Sequence, residues 1–435
     1  MRRAERIERA RAPEAAAHEL IACPDCGLWQ RCAGVPAGYH AECHRCRKVL
    51  ARPTSHGLDA SLALVASALL LWIPACIEPF LRVSADGAIR YSALTSGVTG
   101  LWAAGYPALA VVVAAFSIVI PWAYLVLLTC VLAGMRARRA RTPAPDEGPS
   151  PLGILYRWAL ALRPWAMIEV YLLGACVAYS RIEKVAVASV GIAGWCLMGA
   201  AMLMFLADVA LDDAGIWHAL PFHRSKVQAA RSAASSRGGL FPTCTICGLA
   251  APAARPGDRC PRCHARLAIR KPKSIERTWA LVLGGFFLFI PANLLPVLTI
   301  EQFGRSQPST ILGGVIELVH YGLWPLAAIV FAASIFIPLA KLCGLSWNLF
   351  LTQRGSARYL VGRTRLHRAI EHVGRWSNID VFMVSILVAL VQFGELTRVR
   401  VQNGLVAFAA VVIVTMIASK CFDSRLMWDS AGERA

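Results

Sequence analysis

The 435 residues are 57% hydrophobic and only 16% charged, with a mean hydropathy of +0.53. That balance excludes a water-soluble enzyme and describes a chain that crosses a membrane several times. The net charge of +19 does not signal nucleic acid. Basic residues gather in the segments on one side of the apolar runs, where they orient the chain and meet anionic lipid.

Residues 1–20 are rich in Arg, Ala and Glu and form a polar N-terminal segment, without the apolar core of a cleavable signal. Residues 21–52 hold Cys23, Cys26, Cys43 and Cys46, two CxxC pairs in one short module. Residues 58–217 are predicted as a four-span membrane unit, with a basic, Pro-rich loop from Arg136 to Pro151. Residues 218–243 read as a Ser/Arg/Gly linker. Residues 244–270 hold a second quartet, Cys244, Cys247, Cys260 and Cys263, and 275–428 a second four-span unit.

The spans follow from charge-free runs. No Asp, Glu, Lys or Arg occurs from Tyr91 to Met135, Val185 to Ala207, Thr278 to Ile300 or Tyr321 to Ala340. A bilayer core of roughly 30 Å needs about 20 apolar helical residues. Adding the weaker runs predicts eight spans, at about 60–81, 107–134, 155–180, 186–209, 278–300, 321–350, 376–396 and 402–421. Both termini then lie on the basic, cytoplasmic side. Only Arg82, Arg90, Arg181, Lys184, Arg305, Arg398 and Arg400 fall in the outer loops.

The two halves repeat one another. The segment from Trp72 to Pro79 (WIPACIEP) matches that from Phe289 to Pro296 (FIPANLLP), 217 positions on. Ser117 and Pro121 match Ser334 and Pro338 at the same offset. Further along, WAMIEVY from Trp165 to Tyr171 matches WSNIDVF from Trp376 to Phe382. Leu211, Asp212 and Trp217 match Phe422, Asp423 and Trp428. Similarity in the same order at a long fixed spacing is a parallel repeat.

Each cysteine quartet can close a tetrahedron of thiolates around one ion. With four protein ligands no position stays open for substrate, so a structural zinc is the expectation, with iron in a rubredoxin-like site as the competing metal. Gly27 and Gly248 follow a CxxC, where the knuckle turn favours glycine. The IPAxxxP motifs predict either a plain helix end or a broken helix beside an outward-facing cavity.

Polar residues inside the second unit's spans are the candidate working site. Lys341 lies one heptad after Ser334, so both share a helix face, and Ser377 and Asp380 share another. Thr415 lies in the same half of the last span. A charge inside the bilayer costs roughly 2.5–3.5 kcal/mol or more. Lys341 and Asp380 are therefore read either as a structural ion pair or as a protonation switch. The first unit has Tyr124 where the second has Lys341, which assigns the activity to the second unit. No GxxxxGK[ST] or HExxH is present, so neither P-loop nor zincin chemistry is expected, and the chain is not read as an enzyme.

Taken together, the double CxxC…CxxC, IPAxxxP, W-[SA]-x-I-[DE]-V-[FY] and the span-ending FDSRxxW resemble the paraquat-inducible protein A family, to which the LetA proteins also belong. The resemblance covers about 21–428. It implies a bacterial inner-membrane protein that partners a periplasm-spanning MCE-domain protein and passes phospholipid to or from its tunnel. It further implies that Ser334, Lys341, Ser377, Asp380 and Thr415 are functional, through proton coupling. Asn378 stands where the family motif has Met. The alternatives are a stand-alone proton-coupled small-molecule or stress-efflux carrier, and a zinc-stabilised scaffold without transport. The predicted fold is an all-α polytopic membrane protein of two tandem repeats, each a four-cysteine zinc ribbon followed by four transmembrane helices.

Overall fold

The computed structural model describes residues 19–32, 35–36, 38–52, 57–85, 88–139, 150–182, 187–221, 243–249, 254, 257–302, 305–390, 392–393 and 397–432. Most of the predicted N-terminal segment and of the 218–243 linker lie outside these residues.

The N-terminal cysteine module is built on two hairpins, β1 (Glu19–Ala22) with β2 (Trp29–Cys32) and β3 (Ala41–Glu42) with β4 (Val49–Ala51). The first membrane unit begins with helix α1 (Leu58–Ile77), followed by strands β5 (Leu81–Ala85) and β6 (Ala88–Ser92) and short helix α2 (Ser96–Ala103). Long helix α3 (Pro107–Arg139) contains a π-helical turn at Ala115–Val119. Helices α4 (Pro151–Leu162) and α5 (Ile168–Ile182), β7 (Val187–Val190), α6 (Ile192–Ala210) and α7 (Asp213–Ala219) complete it. The second unit repeats this order: α8 (Ser274–Leu294), β8 (Leu298–Gln302), β9 (Arg305–Ser309), α9 (Ile311–His320) and α10 (Trp324–Gln353), again with a π turn at Ala332–Phe336. Then come α11 (Leu360–Val373), a 3-10 stretch at Gly374–Asn378, and α12 (Ile379–Leu390). The chain closes with β10 (Gln392–Phe393), β11 (Thr397–Val401), α13 (Asn403–Cys421) and α14 (Arg425–Ser430). The chain is thus mostly helical, a multi-pass membrane protein in two repeats.

Seven helices among the described residues are long and apolar enough to cross a membrane. The predicted span at 376–396 is not one of them, because α12 ends at Leu390. Its preceding 3-10 stretch compensates. At about 2.0 Å rise per residue there and about 1.5 Å in α12, the pair reaches about 28 Å, close to a bilayer core. Parts of the predicted spans at 60–81, 186–209 and 278–300 are strands instead. β5 is central to an antiparallel sheet in the order β6-β5-β7, and β8 takes the same place between β9 and β11. These strands contain Ile, Val and Thr, so a hydropathy window cannot separate them from helix.

The repeated prolines have visible effects. Pro121 and Pro338 cannot donate to the carbonyls of Ser117 and Ser334 four residues earlier, and the π turns sit at those carbonyls. Pro74 and Pro291 lie in the last turns of α1 and α8, and the motif's second prolines follow the helix ends. The Pro79 carbonyl accepts from Ala193 N–H at 3.2 Å and the Pro296 carbonyl from Gly404 N–H at 3.1 Å. An added Cβ at Gly404 would come within 2.5 Å of the Pro296 oxygen and 2.6 Å of Leu295's. IPAxxxP is therefore a helix end whose carbonyl secures the start of the last span.

The two units meet through α12, which packs on α5 and α2 of the first unit. Gly174 lets the backbone of Ile379 approach, and Gly97 that of Ser385, with ideal Cβ positions 3.1 and 3.0 Å from those carbonyl oxygens. Tyr171 and Phe382 make an edge-on ring contact at 5.5 Å, and the Asn378 amide donates to Met167 Sδ at 2.9 Å.

Candidate functional site

The cysteine quartets sit at the end of the bundle opposite the two sheets. All eight thiols are buried, and within each quartet the sulfurs lie within 4.8 Å of one another. The closest pairs are 3.4–3.5 Å apart in the first quartet and 3.4–3.6 Å in the second. A tetrahedral ion with bonds of about 2.3 Å separates its sulfurs by about 3.8 Å. The quartets thus have the shape of closed metal sites rather than disulfides, which bring sulfurs to about 2.05 Å. The backbone supports this in all four knuckles: Cys23, Cys43, Cys244 and Cys260 N–H groups donate to the carbonyls of Leu28, Lys48, Leu249 and Ala265. Gly27 and Gly248 take φ of 77° and 69°, and Arg47 and His264 adopt the same left-handed turn at 57° and 58°.

Each quartet is seated on the other repeat's membrane unit. Arg368 of α11 donates to Asp25, and to the carbonyl and Sγ of Cys46 at 3.1 Å each. Arg45 lies over the Trp428 ring, 5.3 Å from its centroid. The N-terminal module therefore rests on the second unit, its cysteines packed with Leu345, Leu349 and Phe422. The second module reaches the first unit: Gly153 of α4 faces the Arg262 carbonyl so closely that a Cβ there would overlap it. Nothing in the linear order of modules suggests this crossing.

Within the second unit, Lys341 on α10 is 2% exposed. Its ammonium donates to the Gly374 carbonyl at 2.8 Å and to Thr415 Oγ1 at 3.4 Å. Thr415 in turn donates to the Val412 carbonyl at 3.0 Å. Gly374 opens the 3-10 stretch that leads to α12, and an added Cβ there would sit 3.2 Å from Lys341 Cε. The structure thus brings Lys341 and Thr415 together. It places Ser334 on the same helix face, one heptad away, fully buried and with its hydroxyl lacking a hydrogen-bond partner among the described residues. The side chains of Ser377 and Asp380 lie outside the described residues.

The first unit's counterpart is polar as well. Tyr124, the match of Lys341, donates to Asp208 at 3.1 Å. Arg163, 211 positions before Gly374, pairs with Asp208 at 3.1 Å and Asp213 at 3.4 Å. Tyr156 donates to Asp213 as well. The contrast between units is therefore not cation against none. The first unit holds its cation in a carboxylate and tyrosine cluster, each partner paired. The second brings its cation in from the opposite helix, and a backbone carbonyl and a hydroxyl are among its partners. Ser117, in the matching π turn, bonds its own helix at Val113 O (2.7 Å), unlike Ser334.

The sequence reading missed Asn348. It continues the heptad Ser334–Lys341–Asn348 and is fully buried with both amide atoms unpartnered among the described residues. Beside it, Arg363 of α11 donates to the Asn348 carbonyl at 3.1 Å and to Thr352 Oγ1 at 2.8 Å. His367 lies one turn further along α11, buried edge-on against Phe422 at 5.2 Å. Burial holds its imidazole below the ordinary range, with Glu371 opposing and Lys271 reinforcing that shift. At the start of α14, burial pushes the Asp423 carboxyl up, but bonds from Arg425 at 2.8 and 2.9 Å and from the Lys271 N–H outweigh it and hold it below the usual carboxylate range.

A two-repeat bundle of membrane helices with a cysteine module ahead of each repeat defines a polytopic membrane protein. Residues 58–221 and 275–432 each match the family model for paraquat-inducible protein A, and the chain belongs to that family. It is 30% identical over 95% of its length to the Intermembrane transport protein PqiA of Escherichia coli K12, covering 96% of that protein. It is 26% identical to a Probable intermembrane transport protein of Haemophilus influenzae, over 94% of this chain and 96% of that one. It is also 27% identical to the Lipophilic envelope-spanning tunnel protein A of Escherichia coli K12, over 94% and 91% of the two chains. No solved structure matches it.

Proposed function

We propose that this protein passes phospholipid between the bacterial inner membrane and a periplasm-spanning MCE-domain partner, with the Lys341 centre coupling transfer to proton movement. The observation that carries the reading is a lysine 2% exposed inside the membrane bundle, in a chain aligned almost end to end with proteins named for intermembrane transport. A cation in that setting is costly, and one that is present there marks a functional site by default. In the proposal Asp380 exchanges a proton, Lys341 tunes its affinity, and Ser334, Ser377 and Thr415 complete the polar set. The basic ends of the helices and both cysteine modules face the cytoplasm, and the sheet end faces the periplasm and the partner.

Each quartet holds a structural zinc in this reading. The eight thiolates supply all the ligands, so the ion braces the module and leaves no open position for a reacting group. The predicted boundaries at 1–20, 21–52, 58–217, 218–243, 244–270 and 275–428 are proposed as the working modules. The test is transfer of labelled phospholipid from vesicles of inner-membrane composition to the co-purified MCE partner. Lys341→Ala and Asp380→Asn should each abolish transfer at normal expression. Full transfer by both variants, or failure of any MCE protein to co-purify, would overturn the reading.

A further inference from the structure

We infer that the seam between α10 and α11 is a hydrated polar passage from the cysteine-module end of the bundle to Lys341, with Asn348 as its water-binding step. This rests on the reading of Lys341 as the working group.

Two polar rails line the seam. On α10 they are Thr352, Asn348, Lys341 and Ser334. On α11 the buried stripe is Leu360, Arg363, Thr364, His367 and Ile370; Arg363 and Ile370 meet α10, while Thr364 and His367 turn toward Trp428 and Phe422 beside it. The helices run antiparallel. Arg363 meets α10 at Asn348 and Thr352, and the Gly374 carbonyl past the end of α11 meets Lys341 Nζ. From Asn348 to Lys341 the rise is one heptad, about 10 Å, the length of roughly four hydrogen-bonded waters.

Unpartnered atoms mark the route. Asn348 Oδ1 and Nδ2, Arg363 Nε, His367 Nδ1 and Ser334 Oγ are each buried without a hydrogen-bond partner among the described residues. Native proteins leave few such atoms, because a dry, unmet donor or acceptor forfeits the hydrogen bonds it made with water. An amide with both ends unmet would make Asn348 among the most expensive side chains in the bundle. Buried water removes that cost, since one molecule makes about three hydrogen bonds to groups of this kind. The first unit carries a less polar version of the same face. There the matches of Lys341, Asn348 and Thr352 are Tyr124, Val131 and Met135, all buried. Ile370 leans in at Gly344, between the levels of Asn348 and Lys341, and is the apolar side chain that water must pass.

The experiment is hydroxyl-radical footprinting of the full-length protein in lipid nanodiscs, comparing wild type with Asn348→Val, the residue the first unit carries, and Asn348→Ser. In wild type, His367 and Leu345 should be labelled well above Leu128, a similarly buried residue of the first unit. Asn348→Val should cut that labelling at least fivefold while leaving the thermal midpoint unchanged or higher, and Asn348→Ser should retain it. Protection of His367 and Leu345 equal to that of Leu128 in wild type, or labelling unchanged in Asn348→Val, would overturn the passage. The readout needs no transport, so its failure is distinct from failure of the phospholipid reading.

Discussion

Replacing Gly153 by Ala tests the crossing of the cysteine modules. Gly153 lies in the first turn of α4, where alanine should favour the helix by about 1 kcal/mol. The structure reverses the sign. The new Cβ would overlap the Arg262 carbonyl oxygen, whereas carbon–oxygen contacts settle at about 3.3–3.6 Å, so the module must retreat by about an ångström. Backbone on both sides cannot rotate away as a flexible side chain would. Overpacking of this kind costs about 1–3 kcal/mol, enough to loosen the second module's seat severalfold to more than tenfold. Gly284→Ala on α8 is the control, since its Cβ would meet nothing within 4 Å and should be stabilising. The assay is maleimide labelling of the cysteines under mild chelation, resolved by mass spectrometry. Gly153→Ala should speed labelling of Cys244, Cys247, Cys260 and Cys263 and leave Cys23, Cys26, Cys43 and Cys46 at the wild-type rate. Equal rates for all eight, or acceleration of the first quartet instead, would refute the seating.

Lys341→Met keeps the bulk and removes the buried charge, so the thermal midpoint in nanodiscs should hold or rise while phospholipid transfer is lost; a destabilised variant would mark Lys341 as a structural support. His367→Gln should flatten the acid side of the stability curve. Burial keeps the folded imidazole neutral, so its contribution is complete above about pH 6.5 and is lost as pH falls. The charged groups acting on it are Glu371, Lys271, Asp25 and Asp423. Melting at stepped pH should therefore show a shallower fall for the variant below neutrality. Asp423→Asn leaves Arg425, 4% exposed, without its carboxylate, and should cost about 3–5 kcal/mol at neutral pH. The penalty should shrink as pH falls below about 4, where the Asp of the unfolded chain takes up its proton, and vanish once pH passes the lower value of the folded carboxyl; a pH-independent loss would refute that ion pair's role.

Much of this architecture was legible because repetition amplifies weak signals. Offsets of 217 positions early and 211 later align π turns, hairpins and last spans that no single window would reveal. The quartets were legible from spacing alone, and Lys341 with Thr415 from the rarity of polar groups in apolar runs. The strands were hidden because hydropathy does not distinguish a buried strand from a helix end. The Arg163 cluster was hidden because its carboxylates, Asp208 and Asp213, straddle the end of the next span. Asn348 had a usable signal, the heptad from Ser334 through Lys341, but an uncharged amide does not stand out in a charge count. The seating of Arg368 on Cys46 had none. Contacts across more than three hundred residues leave no local pattern.

The crossed seating interlocks the halves of the chain. The first unit carries the cradle for the second cysteine module, and the second unit the cradle for the first, so a cut between residues 221 and 243 would leave two pieces still clasped together. A single repeat standing alone would present a cradle without its module and a module without its cradle. Two such repeats would complete each other by reciprocal exchange, as domain-swapped dimers do. The arrangement is that of a swapped pair of like subunits joined head to tail, each half holding the other's cysteine module in place.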